Sequence, residues 1–119
     1  MKRFAAVLMV VLLYTTPCLA GLKVIGKGDK MAFDPADIPA NLKPNYEIFK
    51  VKCIKCHTME RTVVAITTGI APITGQAFDK NATKQYGVKM LRKPDSNMNK
   101  SDVKQCVELM NYLLDKAGK

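Results

Sequence analysis

Five consecutive residues carry the chemistry of this chain: Cys53-Ile54-Lys55-Cys56-His57. The pattern C-x-x-C-H is the attachment signature of a c-type haem. Two thiols add across the two vinyl groups of one porphyrin, and the adjoining imidazole reaches the iron. The spacing asks for one helical turn, with both sulfurs and the ring on the same side of the haem. Two other chemistries use paired cysteines. A thioredoxin-like thiol pair needs a βαβ setting, and none is visible here. A structural zinc takes about four nitrogen or sulfur ligands. Beyond residue 20 the chain offers Cys53, Cys56, Cys106 and His57, and neighbours such as Cys56 and His57 rarely bind one metal together. His57 is the only histidine, so bis-histidine ligation within the chain is excluded and a single haem is implied.

The residues ahead of the motif agree with export. Lys2 and Arg3 precede an apolar run from Phe4 to Tyr14, and Cys18-Leu19-Ala20 ends in a small residue, which suits cleavage before Gly21. The run is shorter than the ~20 residues that a membrane span requires. Acylation of Cys18 is the alternative, although Thr15-Thr16-Pro17 is a poor match to the usual lipobox. Export implies a periplasmic protein, and bacteria attach c-type haem outside the cytoplasm.

Gly21 to Lys119 is 99 residues of the 119, enough for one small domain with a modest core. A covalent haem would supply the missing apolar mass. Loss of Lys2 and Arg3 leaves 17 basic residues against 10 acidic, a net charge of +7. Such a surface suits an acidic partner or a membrane surface met through electrostatic steering. Nucleic acid does not suit an exported protein. The lysines are scattered, so simple solubility explains them equally well.

The elements that position the motif are legible in outline. Gly26, Gly28, Pro35, Pro39 and Pro44 punctuate a loop-rich lead-in over 21–44, with Val24-Ile25 and Phe33 as a strap on the body. A first helix is expected over Asn45 to Lys52, started by Pro44 and apolar along Tyr46, Phe49 and Cys53. The β-branched run Thr62 to Thr68 is ambiguous between helix and strand. Gly69, Pro72 and Gly75 mark a loop on the His57 side, where the Pro72 carbonyl is a candidate acceptor for the His57 Nδ1–H, a bond that ligand histidines usually make. A helix within Phe78 to Lys93 has Asp79 as its N-cap and stops at Pro94. Gly87 weakens its middle. Asn99 or Ser101 caps a last helix reaching about Lys116, with an apolar stripe of Val103, Cys106, Val107, Met110, Leu113 and Leu114. Cys106 in that stripe reads as a small buried hydrophobe rather than a redox thiol.

These pieces resemble the class I monohaem cytochromes c. The resemblance covers Asn45 to Leu114. Tyr46-Glu47-Ile48-Phe49 before Cys53 looks like the family's N-terminal helix, and Asn111-Tyr112-Leu113-Leu114 like the C-terminal helix that crosses it. Cys56-His57-Thr58-Met59-Glu60-Arg61 is similar to C-H-S-L-E-R, and Val88 to Ser96 is similar to V-x-R-M-x-x-K-P-G-S. Asn45 departs from the family's usual glycine at the helix crossing, and the frequent tryptophan before V-x-R-M is missing, since the chain has none.

The resemblance implies an all-α, cytochrome c-like fold over 45–119 around one haem c, with 1–20 as the signal and 21–44 as the strap. Cys53 and Cys56 would carry the thioethers and His57 would ligate the iron. For the sixth ligand, Met59 is too close to His57, Met110 lies in the apolar stripe, and Met31 precedes the haem helix. Met90 fits V-x-R-M in a register that continues without a gap into the last helix. Met98 is the alternative, because Pro94 to Met98 resembles the P-x-S-x-M-P loops of many cytochromes c. The implied function is one-electron transfer between exported redox proteins by a monomer without a membrane span. It is not an enzyme, since no acid–base pair is tied to the haem. The alternatives are a haem-based sensor with a labile sixth ligand and a subunit of a larger exported complex.

Overall fold

The last helix organises the molecule, and its start is written in local chemistry. The computed structural model describes residues 21–119; the expected signal segment, Cys18 included, lies outside the described residues. Numbering helices in chain order, α1 is Lys43–Ile48, α2 Glu60–Thr68, α3 Lys80–Arg92 and α4 Lys100–Lys116. Asn99 caps α4. Its side chain accepts from the Asp102 N–H, and the Asp102 carboxylate accepts from the Asn99 N–H, both at 2.9 Å. This reciprocal pair satisfies two backbone donors that a helix start leaves open. Ser101, the other candidate cap, is engaged elsewhere, accepting from Gln105.

The inner face of α4 runs through Cys106, Leu109, Met110, Leu113 and Leu114, all buried. Leu109 completes the stripe that the sequence outlined, one turn below Cys106 and one above Leu113. Asp102 on the same helix holds Lys52 in an ion pair at 2.5 Å. The Lys52 ammonium, followed by the Asn99 backbone N–H, keeps the Asp102 carboxyl below the usual carboxylate range.

The α3 helix packs along α4. Asp79 caps it by accepting from the N–H groups of Asn81 and Ala82 at 2.9 Å, and it ends just before Pro94. Thr83 is buried and donates its hydroxyl to Asn111 Oδ1 across the helix pair at 2.8 Å. Gly87 is the point of closest approach. A β-carbon there would stand 2.8 Å from Val103 Cγ1 and 3.0 Å from Val107 Cγ2. Its cost in helix propensity is therefore offset by what its missing side chain permits. Gly87→Val should destabilise the fold by about 1–3 kcal/mol, the usual range for overpacking. A denaturant midpoint that does not fall would show that α3 and α4 separate freely.

The first helix begins two residues before the expected Asn45 and changes character midway. After Ile48 the chain continues as a π-helical turn over Phe49–Cys53, a form that inserts an extra residue per turn and recurs at functional sites. Tyr46 and Phe49 point into the core. Asn45 sits where α1 meets α4, donating its side-chain N–H groups to the Gln105 carbonyl and to Glu108 Oε2 at 3.2 Å. A polar bridge thus occupies the crossing for which a glycine would give bare backbone contact.

The ambiguous β-branched run resolves as α2. Met59, Val63 and Ile66 are buried at helical spacing. The Thr67 and Thr68 hydroxyls donate back to the carbonyls of Val63 and Val64, so these threonines are satisfied inside a helix. Gly69 closes it in the left-handed conformation, with φ +72°.

The lead-in forms one small hairpin, β1 Val24–Ile25 antiparallel to β2 Ala32–Phe33. Phe33 is fully buried and its carbonyl accepts the Tyr46 hydroxyl at 2.7 Å. Val24 and Ile25, expected to pack on the body, are exposed instead. They lie on the hairpin's outer strand, and Phe33, with Met31 and Ala32 beside it, anchors the hairpin to the core. Asp37 fastens the rest of the strap: its carboxylate meets Lys116 of α4, and its carbonyl accepts the Tyr112 hydroxyl. Among the described residues no helix is long and apolar enough to cross a membrane.

Candidate haem cavity

The end of the π-helical turn, α2, the loop over 69–75, α3 and the start of α4 enclose a cavity of about 280 Å3. Cys53 and His57 line it, together with Met90, near the end of α3, and Met98, in the loop before α4. Phe49, Ala65, Phe78, Val103 and Met110 add apolar lining. Met110 is both core and cavity lining, as its buried place on α4 requires. Arg61 and Lys89 are the cationic residues of the lining. Arg61 ends the stretch likened to C-H-S-L-E-R, but sequence reading gave neither cation a place at the site.

The motif itself is split. The helix ends at Cys53, and Ile54 leaves helical geometry at φ −99°, ψ 10°. The single helical turn expected through Cys56 is therefore not formed. Lys52 and Cys53 are tied to α4, through Asp102 and Cys106, and the chain turns away after them. Cys53 faces the cavity. Cys56 is exposed and lines a shallow groove with Met31, Lys55 and Met59 on the other side. His57 stands between the two and borders both. Its Nδ1 lies 2.9 Å from the Thr58 carbonyl oxygen. Pro72, the sequence candidate for that contact, shares the cavity lining with His57.

Cys106 adds a group that the motif did not contain. It is buried, it lines the cavity, and its Sγ is 3.0 Å from Cys53 Sγ. Sharing its proton with Cys106 pushes the Cys53 thiol well above the usual thiol range, and burial adds to the rise. Accepting that hydrogen bond lowers Cys106. The sequence signal was only a cysteine in an apolar stripe, and burial is indeed what the structure shows for it.

The donor set fits a covalently held haem. Two thiols, Cys53 and Cys106, one imidazole and the thioethers of Met90, Met98 and Met110 line one largely apolar cavity, donor types that could hold an iron porphyrin. Cys56, three residues from Cys53, does not line this cavity, so joining both thiols to one haem would require residues 54–57 to rearrange. The zinc reading finds no support in the donors: among the described residues no three of His, Cys, Asp or Glu gather as a metal site. Comparison of the chain with protein-family models, with curated proteins and with solved structures returns no match.

Proposed function

We propose that this chain is an exported one-electron carrier of the cytochrome c kind. One haem c would be held by thioethers from Cys53 and Cys56, with His57 and Met90 as its axial ligands. The observation that carries the reading is the convergence of Cys53, His57 and the two candidate methionines on one apolar cavity. When bound, haem supplies an iron that accepts and returns a single electron. The chain's own residues do the rest. Phe49, Phe78 and Met110 exclude water from the site. His57 and Met90 would be the two protein ligands to the iron, a His/Met pair that would favour electron shuttling over catalysis. Arg61 and Lys89 bring cations suited to the carboxylates that haem carries. The net charge of +7 would steer the protein toward an acidic exported partner.

Two measurements on the exported protein test this. A redox titration should follow a single one-electron step. Reduced protein mixed with carbon monoxide at neutral pH should show no rapid spectral change, because a thioether already occupies the sixth position. Rapid binding of carbon monoxide would overturn the carrier reading in favour of a gas-binding sensor.

A further inference from the structure

We propose that Cys53 and Cys106 form a disulfide in the haem-free chain, a second covalent fate for Cys53 that excludes its thioether. The bond rests on the geometry alone; its consequence for haem rests on the function proposed above. Three free thiols are present among the described residues. Cys53 and Cys106 have their sulfurs 3.0 Å apart, about 1 Å beyond bonding distance. Cys56 is exposed and borders a different groove. The pairing favoured by the fold is therefore not the one favoured by sequence proximity within C-x-x-C. Export would bring the chain into a compartment where such bonds form and persist.

The reaction needs a two-electron oxidant, and an external disulfide serves. Of this pair Cys53, half-buried, is the thiol that such a molecule can reach, Cys106 being buried. Cys53 passes its shared proton to Cys106 as its sulfur attacks one external sulfur and forms a mixed disulfide; the first external thiolate released then takes that proton from Cys106. Cys106, buried beside it, then attacks Cys53 Sγ as a thiolate and releases the second. Two protein thiols lose two hydrogens and two electrons, and the external disulfide becomes two thiols. Cys106 is the resolving group by position, since its sulfur already stands 3.0 Å from Cys53 Sγ. Once the bond is made, Cys53 has no thiol to add to a vinyl group until a reductant restores it.

The sequence makes the test direct. Lys52, Lys55 and Lys104 let trypsin separate the three thiols: Cys53 lies in Cys53–Lys55, Cys56 in Cys56–Arg61 and Cys106 in Gln105–Lys116. Chain produced without haem is treated with oxidised glutathione, its remaining thiols are alkylated, and the digest is weighed. The expected product joins Cys53–Lys55 to Gln105–Lys116. A product joining Cys53–Lys55 to Cys56–Arg61, or three alkylated thiols, overturns the proposal. Cys106→Ala removes a buried side chain, so Cys56→Ala serves as the second variant at an exposed position. The Cys53–Cys106 link must persist in Cys56→Ala and vanish in Cys106→Ala. The readout contains no haem. Failure of haem to attach to fully reduced chain would count against the haem reading, and failure of the link to form counts against this one.

Discussion

Replacing both Cys53 and Cys56 by alanine should leave the protein with no covalently bound haem, where the proposed function gives the unaltered protein one. The expected change is all or none, because two thioether bonds are the only irreversible hold that the motif offers. Mass spectrometry after denaturation reads it directly: the unaltered chain, from cells able to mature such proteins, should weigh one haem more than its processed sequence. An unmodified mass would sink the main reading. The single variants should differ. Cys56 is exposed, so Cys56→Ala should leave the apo fold intact and remove one thioether. Cys53 is half-buried against Cys106, so Cys53→Ala also removes a packed contact and should lower the melting temperature of the haem-free chain. Haem still bound covalently to Cys53→Ala could come through Cys56 or through Cys106, which lines the same cavity. Adding Cys106→Ala tells those two apart.

The parts of this molecule that were legible in sequence are those decided within a few residues. Asp79 and Asn99 announce their helices because a side-chain oxygen needs only the next turn's N–H groups to act. Pro94 stops α3 through its own ring. The five-residue motif is equally local, and its haem chemistry stands as the proposal made above. What escaped the sequence depends on distant neighbours. Thr62 to Thr68 suits a strand by propensity, and it becomes helical because Val63 and Ile66 are buried on one helical face. Gly87 reads as a weakness until Val103 and Val107 are placed against it. The π-helical turn and the outward position of Cys56 follow from the Lys52–Asp102 and Cys53–Cys106 contacts. Each of those pairs joins residues about half the chain apart. Cys106 was recognised as buried because its own helix shows the stripe. Its contact with Cys53 was invisible, since no pattern within α4 refers to the end of the π-helical turn.

The sixth ligand is the site residue that neither periodicity nor cavity shape isolates, and substitution should separate the two candidates sharply. Met90 and Met98 both line the cavity. Their surroundings differ. Met98 packs against the hydrophobic core, and its N–H lies 3.4 Å from Ser96 Oγ in a loop that turns through Asn97 at φ +52°. Core packing alone accounts for a methionine there, the commoner use of this flexible side chain. Met90 is half-buried near the last turn of α3, one helical turn from Gly87. Because Gly87 lets α3 approach α4 closely, the position of Met90 on the cavity wall is set by a rigid helix pair. A ligand held by a helix keeps its thioether at a fixed depth, whereas a loop must be immobilised to do the same. Met90→Ala should therefore abolish the thioether-to-iron charge-transfer band of the ferric protein. It should also lower the reduction potential, since methionine ligation raises it, and open the sixth position to carbon monoxide. Met98→Ala should keep the band and cost stability only, at or below the low end of the ~2–5 kcal/mol range for buried methionine truncation. Loss of the band in Met98→Ala with its retention in Met90→Ala would transfer the ligand to the loop. It would also make the left-handed turn at Asn97 the feature that aims it.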